Sequence, residues 1–124
     1  MRLKRKQSVE DYLKTIYILS KLKEVHGIHI AEALGVSRPT VCVALKALEN
    51  DGYVTMDAER AVYLTPIGRT IAEQTYERHN TFQQLLVELG VDEKIAKEDA
   101  CRLEHAVSPE SFAALKKLID IKTS

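Results

Sequence analysis

Ile28-His29-Ile30-Ala31-Glu32-Ala33-Leu34-Gly35-Val36-Ser37-Arg38-Pro39-Thr40 is the stretch that decides how this chain folds. Its apolar residues up to Leu34 suit a short helix, and Gly35 is the residue type that ends one. Ser37 is a good cap for a second helix. Pro39 falls in that helix's first turn, where a missing N–H costs little. Val41, Ala44, Leu45 and Leu48 then share one face, and Asn50-Asp51-Gly52 ends the element. Two short helices about a tight glycine turn make a helix-turn-helix.

Upstream, Ser8-Val9-Glu10-Asp11 reads as a capping box that opens a first helix at Ser8. Leu13, Ile16, Tyr17 and Leu19 continue it on helical spacing to about Lys21, and Gly27 breaks the chain. Downstream, Tyr53-Val54-Thr55-Met56 and Ala61-Val62-Tyr63-Leu64-Thr65 flank the polar turn Asp57-Ala58-Glu59-Arg60. Two β-rich runs about such a turn predict a hairpin, the wing of a winged helix. The order helix, helix-turn-helix, wing over residues 8–65 predicts double-stranded DNA as a partner. Ser37, Arg38, Pro39, Thr40, Val43 and Lys46 are the residues expected in the major groove, with Arg60 at the wing tip. Arg2, Lys4, Arg5 and Lys6 form a basic arm suited to phosphate or to the minor groove.

The charge distribution agrees with a DNA-reading front. The formal net charge is +0, yet residues 1–50 carry nine Lys/Arg against five Asp/Glu, and residues 75–124 carry seven against nine. A 124-residue chain makes one domain or two small ones sharing a core. No run approaches the roughly 20 apolar residues that a membrane span needs. The first residues lead into no signal-peptide core, so a cytoplasmic protein is expected. Cys42 and Cys101 give no disulfide framework.

Thr65-Pro66 starts a long helix, with Ile67, Ile71, Thr75, His79, Phe82, Leu86 and Leu89 as its apolar stripe and Gly90 as its end. A histidine on such a stripe is more often a satisfied core residue than a ligand. Residues from Val91 to His105 form the next helix. In it Cys101, Glu104 and His105 stand at i, i+3 and i+4, on one face. Thiolate, carboxylate and imidazole together are three ligands for a divalent transition metal, and a fourth has to come from elsewhere. Ser108-Pro109-Glu110 opens a last helix with Phe112, Leu115, Leu118 and Ile119 on one side. So much apolar surface in few helices predicts a homodimer, which would match a palindromic operator. The expected fold is mainly α: a winged helix-turn-helix over 1–65, then an all-helical metal-binding and dimerisation domain over 66–124.

The chain resembles the diphtheria-toxin-repressor and manganese-transport-regulator family of metal-dependent repressors. The resemblance rests on Glu10-Asp11-Tyr12-Leu13, Ile30-Ala31-Glu32-Ala33-Leu34, Arg38-Pro39-Thr40-Val41 and Leu64-Thr65-Pro66-Ile67-Gly68. Arg78-His79 and Glu98-Asp99-Ala100-Cys101-Arg102-Leu103-Glu104-His105 complete it. It implies a fourth ligand in the first helix, at Asp11, and Mn²⁺ or Fe²⁺ as corepressor, one ion per protomer. The capping box gives Asp11 a competing role, and one carboxylate does not easily do both jobs. The family's second metal position is altered: Lys14, Gln83 and Lys97 stand where members place ligands, leaving His79 as a contributor at best. Those same three residues favour the rival expectation, a regulator that no longer senses metal and answers to a partner or to oxidation of Cys101. An enzyme is not expected, since no Gly-rich loop or other catalytic motif accompanies the thiol and imidazole. Neither is a small-molecule substrate.

Overall fold

The computed structural model describes residues 2–123, with side chains described for residues 7–119. Six helices and one hairpin follow in order: α1 (Arg2–Ser20), α2 (Gly27–Leu34), α3 (Arg38–Asn50), β1 (Val54–Met56), β2 (Val62–Leu64), α4 (Pro66–Glu88), α5 (Glu93–Ala106) and α6 (Pro109–Thr123). The fold is mainly helical and begins with a winged helix-turn-helix. The chain forms two compact units, Met1–Gln74 and Thr75–Ser124. No single helix among the described residues is long and apolar enough to cross a membrane.

The first unit closes on Leu13 and Ile16 of α1, Ile30 and Ala31 of α2, Val41, Leu45 and Leu48 of α3, and Val54 and Val62 of the hairpin. Helices α1 and α3 contribute residues three or four apart, as amphipathic packing requires, and α2 contributes the adjacent pair Ile30 and Ala31. Gly35 ends α2 in the left-handed region (φ 69), and its N–H bonds the Ala31 carbonyl. The Ser37 hydroxyl accepts the Thr40 amide at 3.2 Å and so caps α3.

Helix α1 corrects the expected start. It begins at Arg2, so Ser8 lies inside a helix and caps nothing. Residues 2–7 are Arg, Leu, Lys, Arg, Lys and Gln, all strong helix formers with no breaker among them. The side chains of Arg2, Lys4, Arg5 and Lys6 lie outside the described residues. Asp11 is therefore not held to a capping role.

In the wing, β1 and β2 pair antiparallel, with Thr55 opposite Tyr63. Asp57 organises the turn between them. Its Oδ1 accepts the amides of Glu59 and Ala61, each at 2.9 Å, and its Oδ2 accepts the Tyr63 hydroxyl at 3.2 Å. The Val62 N–H donates to the Val25 carbonyl at 2.8 Å, stitching β2 to the loop before α2.

Thr65 closes the unit. Its hydroxyl donates to the Gly52 carbonyl at 2.7 Å and accepts the Gly68 amide at 3.2 Å, which caps α4. Its own N–H holds the Tyr53 carbonyl at 3.1 Å. Gly68 packs directly on that carbonyl, so a Cβ there would stand 2.0 Å from the Tyr53 oxygen.

Along α4 the buried row is Ala72, Thr75, His79 and Phe82, whereas Ile67 (63% exposed) and Leu89 (61%) face outward. The expected stripe was too long at both ends: Ile67 falls on the first turn, and Leu89 lies beyond the last helical residue, Glu88. Helix α5 begins at Glu93, not Val91, because Gly90 takes a left-handed conformation (φ 96) and Asp92 accepts the Lys94 amide as cap. In the second unit Phe82, Ala100 and Phe112 form the core with Leu103 and Val107 against them. Phe82 and Phe112 meet edge to face, centroids 5.7 Å apart. On α6, Phe112 is buried while Leu115 and Leu118 are exposed.

Gly68→Ala drives a methyl into a backbone oxygen already fixed by Thr65. We expect a loss of about 3 kcal/mol or more, read by urea unfolding; a loss below 1 kcal/mol would contradict this packing. The amides of Ala61 and then Glu59, with the Tyr63 hydroxyl, hold the Asp57 carboxyl below the ordinary carboxylate range. A lowered folded-state value means that this stabilisation is present above the ordinary carboxylate pKa and is lost as pH falls through the lowered one. An NMR titration of the Asp57 carboxyl should show the downward displacement, and Ala61→Pro, which removes one donor, should diminish it.

Candidate metal centre and nucleic-acid interface

Helix α5 buries Ala96, Ala100 and Glu104, three residues spaced by four. Two alanines let the helix approach its neighbours closely, and the third position carries a carboxylate at 0% exposure. An isolated buried carboxylate is costly. Here imidazole nitrogens stand on both sides. Glu104 Oε2 lies 3.1 Å from His79 Nδ1, and Oε1 lies 3.1 Å from His105 Nε2. His79 Nδ1 also faces Cys101 Sγ at 3.7 Å. Donor atoms of His79, Cys101 and Glu104 all lie within 4.8 Å of one another.

The separations among His79, Cys101 and Glu104 suit ligands gathered about one ion at roughly 2.0–2.3 Å, and His105 meets the other carboxylate oxygen. The atoms that approach are lone-pair bearers, and such a cluster needs shared protons or a cation to be stable. The residues present therefore fit a divalent metal. An N/S/O set of this kind accepts several first-row ions, with the thiolate favouring the softer ones.

The second unit thus brings Cys101, Glu104 and His105 onto one side of α5 and adds His79 from α4. His79 sits closer to the trio than the spacing suggested: it is buried, as a core histidine would be, yet it faces both the carboxylate and the thiol. Asp11 is carried by α1 in the first unit, half-buried, with Lys14 one turn on. Gln83 follows His79 by one turn, and Lys97 is exposed.

Sequence reasoning gave no role to Arg78. Its guanidinium donates to the carbonyls of Glu104 (3.3 Å) and Val107 (2.6 Å) and lies over the Phe112 ring at 5.4 Å. Contacts to backbone carbonyls leave no trace in residue spacing. The only available signal was an arginine beside His79.

In the first unit Ser37, Arg38, Pro39, Thr40, Val43, Lys46 and Arg60 are all exposed. Val43, at 72% exposure, is an apolar side chain left on the outer face of a helix whose inner face is full. Ser37 and Thr40 hydroxyls bond each other at 2.8 Å, so their first task is the cap. Arg38, Cys42, Lys46 and Arg60 line a groove between α3 and the wing, together with His26, His29 and the carboxylates of Glu49, Asp57 and Glu59. Basic residues on an exposed helix beside a wing suit a phosphate backbone.

Residues 5–62 match the family model for the N-terminal DNA binding domain of iron dependent repressors. Residues 65–121 match that family's metal binding and dimerisation domain. The transcriptional regulator MntR of Salmonella typhimurium is 38% identical over 111 residues, which cover 89% of this chain and 71% of that protein. The diphtheria toxin repressor of Corynebacterium diphtheriae is 36% identical over 118 residues, covering 90% of this chain and 50% of that one. A solved manganese-dependent transcriptional repressor in complex with manganese superposes with a TM-score of 0.81 at 33% identity, over 90% of this chain and 52% of that one. The chain therefore spans about half the length of the latter two proteins. By both its halves and by its relatives, it belongs to the iron-dependent repressor family of metal-dependent transcriptional regulators.

Proposed function

We propose that this chain is a metal-responsive transcriptional repressor that binds DNA as a homodimer and restrains metal-uptake genes. In this reading residues 1–65 read a palindromic operator, and residues 66–124 hold Mn²⁺ or Fe²⁺ and pair the protomers. Asp11, Cys101, Glu104, His105 and His79 are the ligands in this reading. The observation that carries the reading is the fully buried Glu104 carboxylate between two imidazoles and beside a thiol. The ion, when bound, supplies the positive charge that this donor set lacks. The protein acts by binding in the cytoplasm and needs no catalytic step.

The division of labour follows from the residues. Glu104 has both oxygens turned to ligand-bearing neighbours, so its charge is what a cation compensates. Arg78 fixes the carbonyl end of α5 and with it the position of His105. Leu115 and Leu118 leave α6 an apolar face that a second protomer would cover. Arg38 and Lys46 contact phosphate, while Pro39 and Val43 meet base edges or thymine methyls.

Mn²⁺ at about 100 times its dissociation constant should stabilise the protein by roughly 2.7 kcal/mol, a rise in melting temperature on the order of 10 °C, reversed by chelator. Glu104→Ala should show no such rise. Glu104→Gln removes the buried charge, so its metal-free melting temperature should match or exceed that of the wild type. A metal-induced rise in Glu104→Ala equal to the wild type's would reject the ligand assignment.

Duplex binding should require Mn²⁺ or Fe²⁺ and vanish with chelator. In the metal-loaded protein, Arg38→Ala and Lys46→Ala should each lower the slope of log affinity against log salt by about 0.9. One observation supports a second reading: Cys101 beside His79 suits a thiol that answers to oxidation. DNA affinity indifferent to chelator but lost on peroxide treatment would favour it over the corepressor.

A further inference from the structure

Arg60 is the only non-glycine residue with positive φ among the described residues (φ 67). Glycine, asparagine or aspartate is the usual occupant of a left-handed turn position, because a Cβ crowds the backbone there. An exposed arginine at such a place contributes nothing to the turn that glycine would not do better. A strained residue retained at an exposed tip points to work done by its side chain.

The conformation is imposed by one neighbour. Asp57 accepts the Glu59 and Ala61 amides through Oδ1 and the Tyr63 hydroxyl through Oδ2. Its backbone N–H donates to the Ala61 carbonyl at 3.1 Å, and its carbonyl accepts the Arg60 N–H at 3.0 Å. Five hydrogen bonds from one residue therefore bracket Arg60 on both sides. The same arginine lines the groove that Arg38 and Lys46 share. Asp57 lines that groove too, with Glu49 and Glu59, but it alone of the three carboxylates ties the wing turn together.

We propose that Asp57 is a positioning residue for DNA binding, locking the wing turn so that Arg60 meets a DNA phosphate already in place. The side chain then loses less freedom on binding, because its backbone is set beforehand. This inference rests on the DNA-binding reading above. It adds that Asp57 and the tip arginine act as one unit.

The test uses the full chain with saturating Mn²⁺ and a mixed-sequence duplex of about 30 base pairs, long enough for two half-sites. Affinity and its salt slope are measured for wild type, Asp57→Ala, Asp57→Asn, Arg60→Gly and Asp57→Ala/Arg60→Gly. Arg60→Gly suits the turn and removes the whole side chain, the guanidinium included. It should weaken binding about tenfold and lower the salt slope by about 0.9, one phosphate contact. Asp57→Ala should produce the same two changes, and the double variant should lose no more than either single one. Asp57→Asn keeps an oxygen for both amides and should bind as wild type or slightly better. Should Asp57→Ala not fold, Asp57→Ser, a weaker acceptor, takes its place with the same expectation.

A salt slope unchanged in Asp57→Ala, or losses that multiply in the double variant, would overturn the inference. So would Arg60→Gly binding as wild type while Arg38→Ala is impaired, with DNA recognition itself left standing. Failure of the wild type to bind the duplex in Mn²⁺ would instead remove both readings together.

Discussion

A carboxylate with no exposure to water organises the second half of this protein. Glu104 occupies the position on α5 where a hydrophobic residue would continue the row begun by Ala96 and Ala100. Putting a carboxylate there sacrifices packing and demands compensation. The surrounding residues answer that demand: His79 and His105 stand 3.1 Å from its two oxygens, and the Cys101 thiol faces His79. The small side chains at 96 and 100 let α5 come near enough for the contacts to form. Phe82 and Phe112 meet edge to face in one cluster with Ala100 and supply the apolar backing. An arrangement so unfavourable for folding is understandable as a receptor for charge.

The first half is built on the opposite economy. Its core is apolar throughout, drawn from α1, α2, α3, the start of α4 and both strands. Polar groups serve as fasteners at the junctions: Ser37 at the start of α3, Thr65 between Gly52 and Gly68, Asp57 in the turn. With its inner face fully committed, α3 leaves Arg38, Val43 and Lys46 outward. This rigid presentation is what a sequence-reading helix requires.

Much of this was legible from residue order. Gly35 and Ser37 mark their helix boundaries because each has a local geometric job, and the i, i+3, i+4 spacing of Cys101, Glu104 and His105 puts them on one face wherever α5 lies. The start of α1 was misread because Ser8-Val9-Glu10-Asp11 carries the pattern of a cap while the residues before it are equally good helix formers. Ile67 and Leu89 continue the α4 periodicity, yet both are exposed; periodicity records which face a residue is on and not what covers it. The proximity of His79 to Glu104, and the reach of Arg78 to two carbonyls, depend on how α4 packs against α5. Neither is a property of any one segment. Membership of the family rests on both halves and on relatives at 36–38% identity, with residues spread along nearly the whole chain.

Arg78 has a consequence beyond its contacts. His105 occupies the last turn of α5, and the final carbonyls of any helix lack intrahelical partners, so that turn is where thermal unravelling starts. By donating to the Glu104 and Val107 carbonyls, the guanidinium satisfies two of those groups and ties off the helix end. Two side chains seated on that turn, the buried acid and the imidazole after it, are thereby kept from wandering.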